Sequence, residues 1–173
     1  MDKSDWNRVP NVQYTQELTE LLNDAEIELI VVCTHLDSHY EFAKAALDHG
    51  KHVLVEKPFM KTVAEAKAIF DYAKERGLIA QCYQNRRYDS DFLTTQKVIE
   101  SGKLGELVEV EAHYDYYRPE IPLATRQFSK YNSYLYGHAI HTLDQILSQF
   151  GQPERVHYDV RQLLGSGRMN DYF

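Results

Sequence analysis

Apolar and polar positions alternate with two different periods along the first hundred residues. Three short and nearly continuous apolar runs, at 27–34, 52–56 and 78–83, predict strands that are buried on both faces. Segments with apolar residues three and four positions apart lie between and around these runs and predict helices. The predicted helices cover 15–24, the segment from Asp37 or Ser38 to Gly50, the segment from Thr62 to Gly77, and 89–101.

Helices that alternate with strands through short links are typical of the α/β class. The order helix, strand, helix, strand, helix, strand, helix predicts a partial doubly wound parallel sheet over residues 1–103. The helix that follows Thr62 carries its own start and stop signals. Thr62 with Glu65 three positions later forms a capping box, and Gly77 ends the helix.

The pattern changes after Gly105. Residues 107–114 alternate between polar and apolar, which predicts a half-buried strand of a different kind of sheet. Residues 136–150 predict an amphipathic helix with Ala139, Leu143, Ile146, Leu147 and Phe150 facing inward, and 155–162 predict another strand. We therefore place a domain boundary near residue 104, and expect 104–173 to begin an α/β domain with a mixed, mostly antiparallel sheet.

The composition argues against some classes of function but does not select a single one. The net charge of -7 argues against nucleic-acid binding, which requires a basic patch, and leaves a small-molecule partner as the expectation. No apolar run has the length needed to cross a bilayer, so no membrane role is expected. Cys33 and Cys82 lie inside apolar runs and predict two buried free thiols, which fits a reducing cytoplasm.

Polar residues follow all three predicted strands at the edge where doubly wound sheets bind ligands. The second strand ends in Glu56-Lys57-Pro58. A partly buried ammonium at such a position can hydrogen-bond the oxygen of an alcohol or carbonyl substrate and stabilise charge there. A surface Lys57 paired with Glu56 is the alternative that residue type alone favours. Its place at a strand end, beside polar neighbours, shifts the interpretation towards function.

A second group of chemically active residues lies on the predicted helix 136–150. His138 and His141 are three positions apart and share a helix face, with Asp144 one turn further on. A neutral histidine is the usual general base for a hydroxyl proton. Two alternatives stay open: a metal site on His138, His141 and Asp144, or structural histidines with an Asp144 that orients a histidine or pairs with an arginine.

These motifs together resemble one protein family. Val53-Leu54-Val55-Glu56-Lys57-Pro58, with Thr34–His39 before it and Gln84–Arg87 after it, is similar to the Gfo/Idh/MocA family of oxidoreductases. Gly102–Glu106 and His141-x-x-Asp144-Gln145 match further family patterns. The resemblance implies a Rossmann domain that binds NAD or NADP, followed by a domain for substrate and subunit contacts in a homo-oligomer. It also implies polyhydroxy or carbonyl substrates such as sugars, polyols and inositols.

The resemblance assigns roles residue by residue. Lys57 matches the family's catalytic lysine, and His141 matches its catalytic histidine. No metal is expected. The expected cofactor contacts are Thr34, His35, His39, Glu56, Lys57, Asn85 and Arg86. The expected substrate contacts are Tyr88, Tyr117, His138 and Asp144.

The sequence also departs from the family pattern. Gly137 stands four residues before His141, where many members carry an aspartate, and no G-x-G-x-x-G turn occurs anywhere in the chain. Both ends look cut, so we expect an internal fragment with little catalysis and an exposed sheet edge that favours association. A non-catalytic cofactor sensor or scaffold of the same fold is the alternative, and the presence of both Lys57 and His141 argues against it.

Overall fold

The computed structural model describes residues 9–117, 131, 133–163 and 170–173. Its strands are β1 (Leu29–Val32), β2 (His52–Val55) and β3 (Ala80–Cys82). Its α-helices are α1 (Leu18–Asn23), α2 (His39–Asp48), α3 (Val63–Glu75), α4 (Ser90–Glu100) and α5 (Ile140–Phe150). Two 3-10 turns, Leu36–Ser38 and Asn85–Tyr88, precede α2 and α4, and a π-helical turn, Leu135–Ala139, leads into α5.

The three strands form one parallel sheet in the order β1-β2-β3, as the three apolar runs predict. Val53 and Val55 face the covered side and are buried against α2 and α3, together with Leu47 and Ile69. On the opposite face, Leu29 is 49% exposed and Val31 is 52% exposed. The described residues thus cover one face of the sheet and leave apolar side chains on the other, so the prediction that each strand is buried on both faces is wrong for β1 within the described residues.

The capping box predicted at the start of α3 is confirmed. The Glu65 backbone N–H donates to Thr62 Oγ1 at 3.1 Å, and the Thr62 N–H donates to Glu65 Oε2 at 3.2 Å. These two bonds satisfy backbone donors that a helix start otherwise leaves without a partner. Gly77 follows the helix with a φ of 68°, a left-handed conformation that glycine adopts without a steric penalty.

The second part of the chain differs from the sequence prediction. Within the described residues neither 107–114 nor 155–162 forms a strand, and one antiparallel bridge joins Arg161 to Tyr172. A strand is defined by hydrogen bonds to a neighbouring chain segment, so alternation alone does not produce one without a pairing partner.

Helix α5 lies where the pattern predicts a helix, but only part of its apolar stripe is covered: Ala139 is buried and Ile146 is partly buried. The predicted inward residues Leu143, Leu147 and Phe150 are between 44% and 50% exposed, whereas His141 is buried. Periodicity identifies the apolar face of a helix but not which face packs against the described residues.

No described helix is long and apolar enough to cross a membrane.

Candidate active site

The ends of the three parallel strands place the predicted functional residues along one edge of the sheet. Thr34 and His35 follow β1, Glu56 and Lys57 follow β2, and Asn85 follows β3. Parallel strands end at the same edge, and this is where open α/β sheets bind their ligands. The structure therefore brings these three polar strand ends together.

His39 ties the ends of β1 and β2 together from beneath this edge. Its ring is 1% exposed. Nδ1 lies 3.0 Å from the Pro58 carbonyl oxygen and 3.2 Å from that of Phe59, and Nε2 lies 3.0 Å from the Thr34 carbonyl oxygen. A carbonyl oxygen only accepts hydrogen bonds, so the ring nitrogen that carries the proton is the one that donates to the carbonyl oxygen beside it. The ring supports the edge from within, and its predicted contact with a cofactor stays a prediction.

The side chain of Lys57 reaches across the fold rather than pairing with its neighbour Glu56. The Glu56 carboxylate accepts a hydrogen bond from the Lys57 backbone N–H at 2.9 Å. The Lys57 ammonium donates to the carbonyl oxygen of Gly137 at 2.8 Å, across a separation of 80 residues. The alternative of a surface lysine paired with Glu56 does not describe this geometry.

The carbonyl of Gly137 is a functional group that the sequence does not reveal. Gly137 lies in the π-helical turn, which interrupts the regular ladder of the helix and brings its carbonyl within reach of Lys57. A main-chain oxygen therefore contacts Lys57 at the position where the family resemblance leads one to expect an aspartate. The related feature in the sequence is the glycine itself, which stands one helical turn before His141 and does not by itself predict a contact with Lys57.

His141 is buried and neutral at neutral pH. Its side chain is 5% exposed, and Nδ1 makes no hydrogen bond within the described structure. Burial, followed by the positive charges of Lys57 and Arg86 and by His138, lowers the pKa of His141 to about 4. A buried histidine without a proton on one ring nitrogen is able to accept one from a substrate hydroxyl.

Aromatic rings surround His138, the other histidine of this turn. Its ring centroid lies 5.9 Å from that of Tyr114 and 5.0 Å from those of both Tyr116 and Tyr134. Tyrosines are frequent in the sequence between 114 and 136, and three of them contribute to this cluster. Two predicted substrate residues lie in more open positions, since Tyr88 is 74% exposed and Tyr117 is 95% exposed.

The carboxylate of Asp144 is paired with an arginine and does not face solvent alone. Both of its carboxylate oxygens accept hydrogen bonds from Arg87, at 2.6 Å from Nε and 2.7 Å from Nη2. Pairing with an arginine is one of the roles that the sequence left open for Asp144. Among the residues that the structure describes, no group of three or more His, Cys, Asp and Glu side chains is arranged to hold a metal ion.

The remaining predicted cofactor residues differ in their contacts. Thr34 and Asn85 are exposed at the edge, and the Thr34 hydroxyl accepts a hydrogen bond from Ser38 at 2.8 Å. Nδ1 of His35 lies 3.2 Å from Oδ2 of Asp37. Nη1 of Arg86 forms an ion pair with Oδ2 of Asp89 at 2.8 Å. Next to Asn85, Gln84 buries its Oε1 atom without a hydrogen-bond partner among the described residues. This acceptor and Nδ1 of His141 are thus two buried polar atoms near the edge that make no hydrogen bond within the described residues.

Comparison with known proteins agrees with this architecture. A family model described as the oxidoreductase family with an NAD-binding Rossmann fold matches residues 4–84. A model of the GFO/IDH/MocA C-terminal domain matches residues 92–173. The chain belongs to the Gfo/Idh/MocA family of oxidoreductases, and its α/β fold with a Rossmann-like parallel sheet is that of the family.

Individual relatives place the chain within this family. It is 53% identical over 163 residues to the uncharacterized oxidoreductase YhhX of Escherichia coli K12, covering 94% of this chain and 47% of YhhX. It is 36% identical over 165 residues to the scyllo-inositol 2-dehydrogenase (NADP(+)) IolW of Bacillus subtilis, covering 95% of this chain and 46% of IolW.

Solved structures are also similar to this chain over most of its length. The crystal structure of YhhX, described as a probable oxidoreductase, superposes with a TM-score of 0.86 at 53% identity, over 92% of this chain and 46% of the other. A putative oxidoreductase from Yersinia pestis gives a TM-score of 0.87 at 39% identity, over 95% of this chain and 46% of the other. The chain thus spans about half the length of the relatives it matches.

Proposed function

We propose that this chain carries the reaction centre of an NAD- or NADP-dependent dehydrogenase or reductase that acts on a CH–OH group of a polyhydroxy substrate. The observation that carries the proposal is the hydrogen bond from Lys57 to the Gly137 carbonyl. It fixes a cationic side chain from the end of β2 one helical turn before the buried His141. The relative IolW, a scyllo-inositol dehydrogenase, supports a cyclic polyol as the substrate.

The chemistry of the chain's own residues divides between Lys57 and His141. The Lys57 ammonium hydrogen-bonds the substrate oxygen and stabilises negative charge that develops on it. His141, neutral near pH 7, accepts the hydroxyl proton as the C–O bond becomes a carbonyl. The same proton returns to the oxygen in the reducing direction. When bound, the nicotinamide supplies the hydride acceptor or donor.

The strand-end residues are proposed to hold the nicotinamide half of the cofactor. Thr34, Glu56 and Asn85 provide polar groups at the edge, and Gln84 adds a buried acceptor. The sequence contains no Gly-rich turn to hold a pyrophosphate, so we propose that the 173 residues by themselves bind NADH and NADPH weakly. Calorimetry on this chain tests the point, and micromolar binding of either cofactor would contradict it.

The test of function uses the full translation product of the gene that encodes this chain. Oxidation of scyllo-inositol, myo-inositol and levoglucosan is followed by the absorbance of the reduced nicotinamide, with NAD and with NADP. We expect Lys57→Met to lower kcat/KM about 100-fold or more, and His141→Asn to lower it by a similar factor.

A matched control separates this effect from general damage. Lys67 lies on α3 with a side chain that is 71% exposed, and Lys67→Met should leave turnover unchanged. Circular dichroism spectra should be the same for all variants. Equal turnover by Lys57→Met and Lys67→Met would remove Lys57 from the mechanism and favour a non-catalytic role for the fold.

Location and assembly are part of the same proposal. Cys33 is exposed and Cys82 is partly buried, so the prediction that both thiols are buried is wrong for Cys33. Both are free thiols, which supports a reducing, cytoplasmic setting. We propose a homo-oligomer of the full product, supported by the half-exposed apolar face that Leu29 and Val31 leave on the sheet. Light scattering coupled to size exclusion measures the assembly, and a monomer at micromolar concentration would contradict it.

A further inference from the structure

The 3-10 turn after β3 is joined to α5 by a two-point ion pair. Arg87 Nε donates to Asp144 Oδ2 at 2.6 Å, and Nη2 donates to Oδ1 at 2.7 Å, across 57 positions in sequence. The Asp144 side chain is 13% exposed and that of Arg87 is 46% exposed. An arginine that binds both oxygens of a carboxylate fixes orientation as well as distance.

A second bond joins the neighbouring residues of the same two elements. Gln145 Nε2 donates to the Arg86 carbonyl oxygen at 3.1 Å. Two adjacent residues of the turn therefore hold two adjacent residues of the helix, which sets both the position of α5 and its rotation about its axis. We call the pair Arg87–Asp144 with the bond Gln145–Arg86 the brace.

His141 lies one helical turn before Asp144, so the brace determines where its ring stands. We propose that Arg87 and Asp144 are positioning residues that hold the His141 ring in its buried place at the strand ends. Their catalytic meaning rests on the proposed function, whereas their effect on the ring itself does not. The turn that carries Arg87 also begins with Asn85, so the same turn joins the expected cofactor edge to the base.

We expect the brace to matter more for the position of the His141 ring than for the free energy of unfolding. An ion pair with a half-exposed arginine adds little to the free energy of unfolding, because water and salt screen it. A shift of about 1 Å in a catalytic group, by contrast, lowers turnover about 100-fold. Loss of the brace should therefore change the surroundings of His141 much more than it changes the unfolding of the protein.

The charged and titratable groups around His141 allow position to be separated from charge. Lys57 faces it from the end of β2, Arg86 and Asp89 from the turn and the start of α4, and His138 from the π-helical turn. The aromatic ring of Tyr114 lies 6.4 Å away. Removing a negative charge such as that of Asp144 can only lower the pKa of His141 directly, whereas releasing the ring into water raises it.

The experiment measures the pKa of His141 by proton NMR in the chain as it stands. The chain has eight histidines, and the His141 signal is identified by its loss in His141→Asn. The variants are Asp144→Asn, which removes the carboxylate charge, and Arg87→Lys, which keeps the positive charge but not the two-point fork. The control is Asp71→Asn, which breaks an exposed pair with Lys67 on α3.

The proposal expects both brace variants to raise the pKa of His141 from about 4 towards the ordinary histidine value of about 6.5, with the control unchanged. A fall in Asp144→Asn would show that only charge acts and would overturn it. An unchanged pKa in Arg87→Lys would overturn it as well. If Asp144→Asn fails to fold, the result of Arg87→Lys decides alone.

Turnover of the full translation product provides a second readout. We expect Arg87→Lys to lower kcat about tenfold or more, with little change in KM, and to move the acidic limb of the kcat pH profile to higher pH. A kcat profile that coincides with the parent's would contradict the positioning role. If the parent protein turns over none of the polyols, the proposed function fails, while the NMR result still decides the brace.

Discussion

The burial of His141 makes a quantitative prediction about stability and pH. In the folded chain its pKa is about 4, against an ordinary value of 6.5 in the unfolded chain. Between these two values the unfolded chain binds a proton that the folded chain does not. Stability is therefore lost as the pH falls from about 6.5 to about 4, and the whole contribution is gone below that.

The size of this effect follows from the difference between the two pKa values. At about 1.36 kcal/mol for each pH unit, the upper limit is about 3.4 kcal/mol, and we expect about 2 to 3 kcal/mol. His141 is 5% exposed, so solvent screens little of this effect. The variant His141→Asn removes the titrating group and should remove this part of the pH dependence.

The assay is urea unfolding of the parent chain and of His141→Asn at about pH 7.5, 5 and 4. Titration of the carboxylates and of the other histidines is common to both proteins and cancels in their difference. The control is His113→Asn, because the His113 side chain is 70% exposed. The reasoning is refuted if the difference in unfolding free energy between parent and His141→Asn stays constant with pH.

Three further predictions concern other parts of the fold. His39→Phe removes the ring N–H that donates to a carbonyl oxygen at one of the two strand ends, and should lower the free energy of unfolding by about 2 kcal/mol in urea; an unchanged value would contradict the support role. Thr62→Ala removes the capping bond to Glu65 and should cost about 1 kcal/mol in the same assay, whereas a neutral result would contradict it. Burial, with the nearby carboxylates, raises the pKa of the Cys82 thiol to about 11, so a thiol reagent at pH near 8 should label the exposed Cys33 much faster, and equal rates would contradict this.

Local sequence signals predicted the first hundred residues well. The three apolar runs became the three parallel strands, and the pair Thr62 and Glu65 became a capping box in the structure. These features depend on neighbours within about four residues or on short runs of apolar side chains, and such information is contained in the order of residues. The strand ends beside Glu56-Lys57-Pro58 were predictable for the same reason.

Local sequence signals predict the second half of the chain less well. The alternation at 107–114 predicted a strand that the described residues do not form, because a strand also needs a partner segment to bond with. Leu143 and Leu147 mark the apolar face of α5, yet that face is about half exposed. The stripe identified the helix, while the contacts of Asp144 and Gln145 decided which way it faces.

The sequence by itself determined the class of fold and the order of the elements in the first hundred residues, and it singled out Lys57 and His141 as the candidate catalytic residues. Only the tertiary structure showed that Lys57 contacts the Gly137 carbonyl and that Arg87 pairs with Asp144. Periodicity and capping act within a few residues, so they are visible in the order of the chain. Backbone oxygens and contacts across 57 or 80 positions carry no local pattern and exist only once the chain has folded.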